Sequence, residues 1–116
     1  MLKSFIHAIE GIATAFREHA NFRIHTVTAL TVIAAGFILQ VTRIEFLIIL
    51  FTINLMFIVE MVNTSVEEIT NLVTIKWAKQ AKIAKDVAAG MALLTAVSSV
   101  VVGIVIFGPY LLELLL

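Results

Sequence analysis

Three polar residues in the middle of the chain, Glu60, Asn63 and Glu67, come at the end of a long apolar run. In a helix, which turns by about 100° per residue, their side chains fall within an arc of roughly 60°. Ionisable groups at membrane depth are costly and usually serve a function. A carboxylate there can act as a general base, and oxygen ligands suit a hard cation such as Mg²⁺. The spacing therefore predicts a catalytic or ion-handling site, with hydrogen bonding between helices as the alternative.

The composition indicates an integral membrane protein. Of the 116 residues, 61% are hydrophobic and 14% are charged, whereas soluble domains are about 45–50% apolar. The formal net charge is zero, so nothing predicts a nucleic-acid partner. The lack of cysteine excludes disulfides and thiolate metal sites. The length predicts a single domain over residues 1–116.

Residues 2–19 are predicted to form an amphipathic helix, because apolar residues recur there at steps of three and four. The apolar stripe consists of Phe5, Ile9, Ile12 and Phe16. Such a helix either lies in the membrane interface or packs on a bundle of spanning helices, and we favour the interface.

Three transmembrane helices are predicted to follow, at 22–41, 44–62 and 87–107, each close to the ~20 residues that cross a bilayer. Gly108-Pro109 is predicted to end the third, because proline cannot continue the hydrogen-bond pattern of a helix. The apolar tail after it is expected to lie at the interface. The predicted fold class is therefore all-α integral membrane, with one surface helix and three transmembrane helices.

The basic residues lie mostly on one side of the predicted membrane. Arg43 is alone on one side, and the other seven of the eight lysines and arginines lie on the opposite side: Lys3, Arg17, Arg23, Lys76, Lys79, Lys82 and Lys85. By the positive-inside rule, the N-terminus and the lysine-rich segment are expected in the cytoplasm and the C-terminus outside.

Two further polar positions are candidates for contacts to phosphate. Lys85 and Asp86, at the start of the third span, would supply a cation and an acceptor. The three histidines show no spacing typical of a metal site, and His25, near the end of a span, is interpreted as a polar cap or interface residue.

The stretch from Glu60 to Glu67, Glu-Met-Val-Asn-Thr-Ser-Val-Glu, resembles the signature of the prokaryotic diacylglycerol kinase family. Three further segments, 11–17, 21–25 and 81–90, resemble the Gram-positive branch of that family and occur in the same order. The resemblance covers nearly the whole chain. In that branch the favoured substrate is usually undecaprenol rather than diacylglycerol.

The resemblance implies a small homotrimeric enzyme of the bacterial cell membrane. Such enzymes transfer the γ-phosphoryl group of ATP to a lipid alcohol, with Mg²⁺. Carried over by position, Glu60 is the general base, Asn63 positions groups at the reacting centre, and Glu67 binds the metal that carries the ATP phosphates. Lys85 and Asp86 contact the nucleotide.

The chain departs from the family pattern at three places on the nucleotide side. His19 stands where the family has a second metal-binding glutamate, and Glu18 lies one place earlier. Asn71 stands where an Asp is usual, and Lys76-Trp77-Ala78 replaces Glu-Tyr-His. Two alternatives to an active kinase stay open, the first of them because of these departures. One is an inactive relative that binds lipid or partners, and the other is an ion or proton pathway that uses the same acids.

Overall fold

The computed structural model describes residues 1–73 and 78–116, which form four helices. They are α1 (Leu2–Glu18), α2 (Ala20–Ile38), α3 (Arg43–Val73) and α4 (Lys79–Leu115). The last three are long and apolar enough to cross a membrane. The prediction of a multi-pass, all-helical membrane protein is thus confirmed for the described residues.

The first two helices are separated by a single residue. His19 has an extended backbone (φ −119°, ψ 112°) and serves as both the C-cap of α1 and the N-cap of α2. The guanidinium of Arg23 donates a hydrogen bond of 2.8 Å to the carbonyl oxygen of Arg17, which satisfies one of the free carbonyls at the end of α1. The apolar stripe of α1 is exposed, and its placement on the membrane surface stays a prediction.

Helices α2 and α3 are antiparallel, and aromatic pairs join them near both ends of α2. The ring centroids of Phe22 and Phe57 are 5.0 Å apart, as are those of Phe37 and Phe46. Gly36 lies beside the second pair, where an added Cβ would make an ordinary van der Waals contact, 3.4 Å from the Phe46 ring. The paired helices thereby fix the start of α2 against the second half of α3.

The tight turn after α2 is a Schellman motif. The N–H of Val41 donates to the carbonyl of Gly36 (3.2 Å), and the N–H of Gln40 donates to that of Phe37 (3.3 Å). Gln40 has the left-handed φ of 53° that this motif requires. Glycine is the usual residue at this position, because a Cβ is strained in the left-handed conformation.

Replacing this exposed glutamine by glycine should therefore stabilise the fold. We expect Gln40→Gly to raise the free energy of unfolding by roughly 1 kcal/mol, measured by denaturation in mixed micelles. Gln40→Ala retains the strained Cβ and is the matched control, with little expected change. A Gln40→Gly protein no more stable than Gln40→Ala would contradict the assignment of strain to this residue.

Glu45 connects the start of α3 to the far end of α4. Its carboxylate accepts from the N–H of Thr42, while its own N–H donates to the Thr42 hydroxyl, at 3.0 and 3.2 Å. This reciprocal pair is a capping box. The hydroxyl of Tyr110 donates to the same carboxylate oxygen, so one side chain caps α3 and holds the end of α4.

The prediction that the helix of the third span ends at Gly108-Pro109 is wrong, because α4 continues through Pro109 to Leu115. Proline removes one helical N–H, but a helix that stopped in apolar surroundings would leave several backbone groups unpaired. Continuation of the helix also brings Tyr110 to Glu45.

Helices α3 and α4 also extend beyond the predicted spans 44–62 and 87–107 at the end of the molecule where the lysines lie. Helix α3 continues to Val73, and α4 begins at Lys79. These extra turns are polar and carry Glu67, Asn71 and Lys85. Lys76 and Trp77, which belong to one of the departures from the family pattern, lie outside the described residues.

Candidate active site

The three polar residues of α3 show a gradient of burial along one helix face. Glu60 is 8% exposed, Asn63 is half-buried and Glu67 is exposed. Two helical turns, about 10 Å, separate Glu60 from Glu67. A substrate group at Glu60 would therefore be largely enclosed by protein, while one at Glu67 would be in contact with water.

These residues line a cleft between three helices, which we call the polar cleft. It has a volume of about 210 Å³ and is lined by the end of α1, the start of α2 and the second half of α3. The polar residues that line it are Glu18, His19, Asn21, Glu60, Asn63, Thr64 and Glu67. The structure thus brings Glu60, Asn63 and Glu67 together, as their spacing predicts.

Glu18 and His19 both line the polar cleft. A helix over residues 2–19, as predicted, would point these two side chains about 100° apart. The helix instead ends at Glu18, and His19 is extended. A carboxylate at position 18 therefore lies at the same cleft as Glu67.

His25 is the site residue that sequence reasoning missed. Its Nε2 lies 3.7 Å from Oε2 of Glu60, and the two side chains are 27% and 10% exposed. Side chains lean toward the N-terminus of their own helix. Because α2 and α3 are antiparallel, the side chains of His25 and Glu60 lean in opposite directions along the helix pair, and here this brings them toward each other. Because this contact depends on how two helices pair, no spacing within one segment indicates it.

Lys85 and Asp86 have different partners near the start of α4. The ammonium of Lys85 donates a 2.8 Å hydrogen bond to the amide oxygen of Asn71, one turn beyond Glu67 on α3. Asp86 forms an ion pair with Lys82, four residues earlier, and both side chains are exposed. Lys85 is thereby held near the face that carries Glu67, whereas Asp86 is engaged within its own helix.

A hard cation fits the chemistry of the polar cleft. Within 1–73 and 78–116 there is no group of three or more His, Cys, Asp or Glu residues that could hold a metal alone. Magnesium, however, is often held by only one or two carboxylates, with phosphate oxygens and water completing its shell. Glu67 and Glu18 supply such carboxylates at the open end of the cleft.

Helices α2, α3 and α4 are long enough to span a membrane, and a buried carboxylate lies at the deep end of the polar cleft. This is the architecture of a membrane-embedded enzyme. Residues 6–107 match the prokaryotic diacylglycerol kinase family, and the chain belongs to that family.

Two relatives agree with this assignment. The chain is 41% identical over 109 residues to an undecaprenol kinase of Bacillus subtilis, covering 94% of this chain and 89% of that protein. It is 40% identical over 116 residues to a diacylglycerol kinase of Synechocystis sp., covering 99% of this chain and 66% of the relative. The predictions of the family and of an ATP-dependent lipid kinase are confirmed.

Proposed function

We propose that this protein transfers the γ-phosphoryl group of ATP to the hydroxyl group of undecaprenol or diacylglycerol. The observation that carries the proposal is the burial gradient on α3. Glu60 is buried and Glu67 on the same face is exposed, so the lipid hydroxyl would meet Glu60, and ATP, which comes from water, would meet Glu67. One helix face thus offers a separate position to each substrate.

In the proposed reaction, Glu60 takes the proton of the lipid hydroxyl. The hydroxyl oxygen forms a bond to the γ-phosphorus of ATP, and the bond from that phosphorus to the bridging oxygen breaks. The electron pair of that bond leaves with ADP, and the products are a lipid phosphate and ADP. The proton on Glu60 then returns to solvent, and the site is ready for another turnover.

The remaining residues of the polar cleft position the phosphates. Phosphoryl transfer depends mainly on orientation and on neutralising the phosphate charge. Glu67, with Glu18 beside the same cleft, would hold Mg²⁺, which when bound neutralises phosphate oxygens. Asn63 lies between Glu60 and Glu67 along the helix, where its amide can orient the transferred group.

Lys85 should contribute to binding of ATP. Asn71 is a neutral partner, so the ammonium of Lys85 keeps its full positive charge for a phosphate. We expect Lys85→Met to raise the KM for ATP about 10-fold or more, since a charge-assisted hydrogen bond is lost. Lys79→Met, at an exposed lysine of the same helix, is the control and should leave KM unchanged. An equal effect of both substitutions would instead indicate that KM responds to a general loss of positive charge.

Asp86 is proposed as a second nucleotide contact. To make this contact, its carboxylate must leave the ion pair with Lys82.

The proposed setting is the bacterial cell membrane, with the N-terminus in the cytoplasm and α1 on the membrane surface. The charge asymmetry supports this orientation. We further propose a homotrimer with active sites at subunit interfaces. Support for an assembly comes from the volume of the polar cleft, about 210 Å³, which is too small to hold both ATP and a lipid.

The test is a phosphorylation assay with purified protein in lipid vesicles. Radiolabelled ATP and Mg²⁺ are added with undecaprenol or diacylglycerol, and labelled lipid phosphate is extracted and counted. Label in either lipid supports the proposal, and the ratio of kcat/KM values identifies the preferred substrate. No labelled lipid at saturating ATP and Mg²⁺ would favour an inactive relative, whereas ion flux without ATP would favour a pathway protein.

A further inference from the structure

Glu60, which lines the polar cleft, lies close to His25, and His25 lines a second space of different chemistry, which we call the apolar cavity. This cavity has a volume of about 250 Å³ and lies between α2, α3 and α4. The residues that line it include His25, Ala29, Ile49, Ile53, Met56 and Gly103. A lipid alcohol is apolar apart from its hydroxyl end, so the apolar side is the one from which its hydroxyl can approach Glu60.

His25 is in contact with both spaces. Its side chain lines the apolar cavity, and its Nε2 faces Glu60, which lines the polar cleft. An imidazole can donate an N–H to a carboxylate oxygen in its protonated form or in one neutral tautomer. The observed separation of 3.7 Å closes to an ordinary hydrogen bond with a shift of about 0.7 Å.

From this geometry we propose that His25 is a positioning residue for Glu60. Donation from Nε2 to Oε2 fixes the carboxylate, and the other oxygen, Oε1, then faces the lipid hydroxyl at the boundary of the two spaces. This role rests on the proposed function, since it serves the removal of the hydroxyl proton. A general base must lie within hydrogen-bond reach of the proton that it takes, and a misplacement of about 1 Å can cost 100-fold in rate.

A positioning role predicts a specific kinetic pattern. We expect His25→Ala to lower kcat about 10- to 100-fold, while the KM for ATP changes less than about 3-fold because ATP binds two turns away, at Glu67. His25→Gln keeps an N–H donor and should recover most of the lost kcat. The matched control is His7→Ala, because His7 is an exposed histidine on α1 that pairs only with Glu10 in the described residues.

A double-mutant cycle separates this role from a structural one. If His25 acts through Glu60, then His25→Ala should cause no further loss of kcat in a Glu60→Gln background. A full additional loss in that background would overturn the proposal. So would a His25→Ala protein that keeps the parental kcat, or one whose main defect is in the KM for ATP.

Two further comparisons make the outcome decisive. If His25→Ala does not fold, His25→Gln and His25→Leu are compared instead. Their folding is checked by size-exclusion chromatography in detergent, and their activity by kcat. An active Gln variant with an impaired, folded Leu variant supports the proposal, and equal activity overturns it. A parent protein without lipid phosphorylation would overturn the proposed function itself, whereas an active parent insensitive to His25 would overturn only the positioning role.

Discussion

Glu60→Gln should reduce lipid phosphorylation to a trace, with kcat lower by about 10³-fold, since general-base catalysis is worth roughly 10²–10⁴. Glutamine fills the same space, so the packing around this buried residue, which is 8% exposed, should persist. Its amide cannot accept the proton of the lipid hydroxyl. The loss should therefore appear in kcat, while the KM for ATP stays close to that of the parent.

The matched control for this experiment is Glu68→Gln. Glu68 is on the same helix and exposed, and it does not line the polar cleft. The same change of charge and shape is thus made outside the site. Full activity in Glu68→Gln with a large loss in Glu60→Gln would assign the effect to the position in the cleft. Parental activity in Glu60→Gln would remove Glu60 as the base, even if the protein is a lipid kinase.

Burial is what makes this substitution informative about mechanism. A bound substrate hydroxyl at Glu60 would be screened from bulk water, so a water molecule from solvent is a poor replacement for the carboxylate. Activity of Glu60→Gln should consequently not be restored by higher concentrations of ATP or Mg²⁺. Restoration by either would place the role of Glu60 in nucleotide binding instead.

The sequence predicts the spanning helices well and their ends poorly, for one physical reason. A run of apolar residues indicates which part of a helix contacts lipid, and α2, α3 and α4 each contain such a run. The helical turns that extend into water carry no hydropathy signal, so hydropathy alone does not indicate where α3 ends, at Val73. At Pro109, the need to satisfy backbone groups outweighs the local preference of proline.

The site was predictable only where it is built by one helix. Glu60, Asn63 and Glu67 lie at one cleft because helical periodicity alone puts them on one face. The contact of His25 with Glu60 depends on the pairing of two antiparallel helices, which no spacing encodes. The position of Glu18 depends on one extended residue, His19, which breaks the helical phase between α1 and α2.

The second large effect is expected at the exposed end of the polar cleft. We expect Glu67→Gln to lower kcat/KM for ATP by roughly 100-fold, because a site with one or two carboxylates loses a charged ligand for Mg²⁺. Unlike the loss in Glu60→Gln, this defect should be relieved in part by raising the Mg²⁺ concentration. Binding of ATP with Mg²⁺, measured by calorimetry without lipid, should weaken in parallel.

His19→Glu provides the converse experiment at the same cleft. It adds a carboxylate to a site that already contains Glu18 and Glu67, so half-maximal activity should require less Mg²⁺ than in the parent. The same substitution in Glu67→Gln should restore part of the lost affinity for ATP with Mg²⁺. Glu68→Gln, which changes charge one residue away without entering the cleft, should leave the Mg²⁺ dependence unchanged. A Glu67→Gln protein with the parental Mg²⁺ dependence would show that the metal is held elsewhere. Glu60 and Glu67 would then no longer divide the reaction between a proton acceptor at lipid depth and a metal ligand near water.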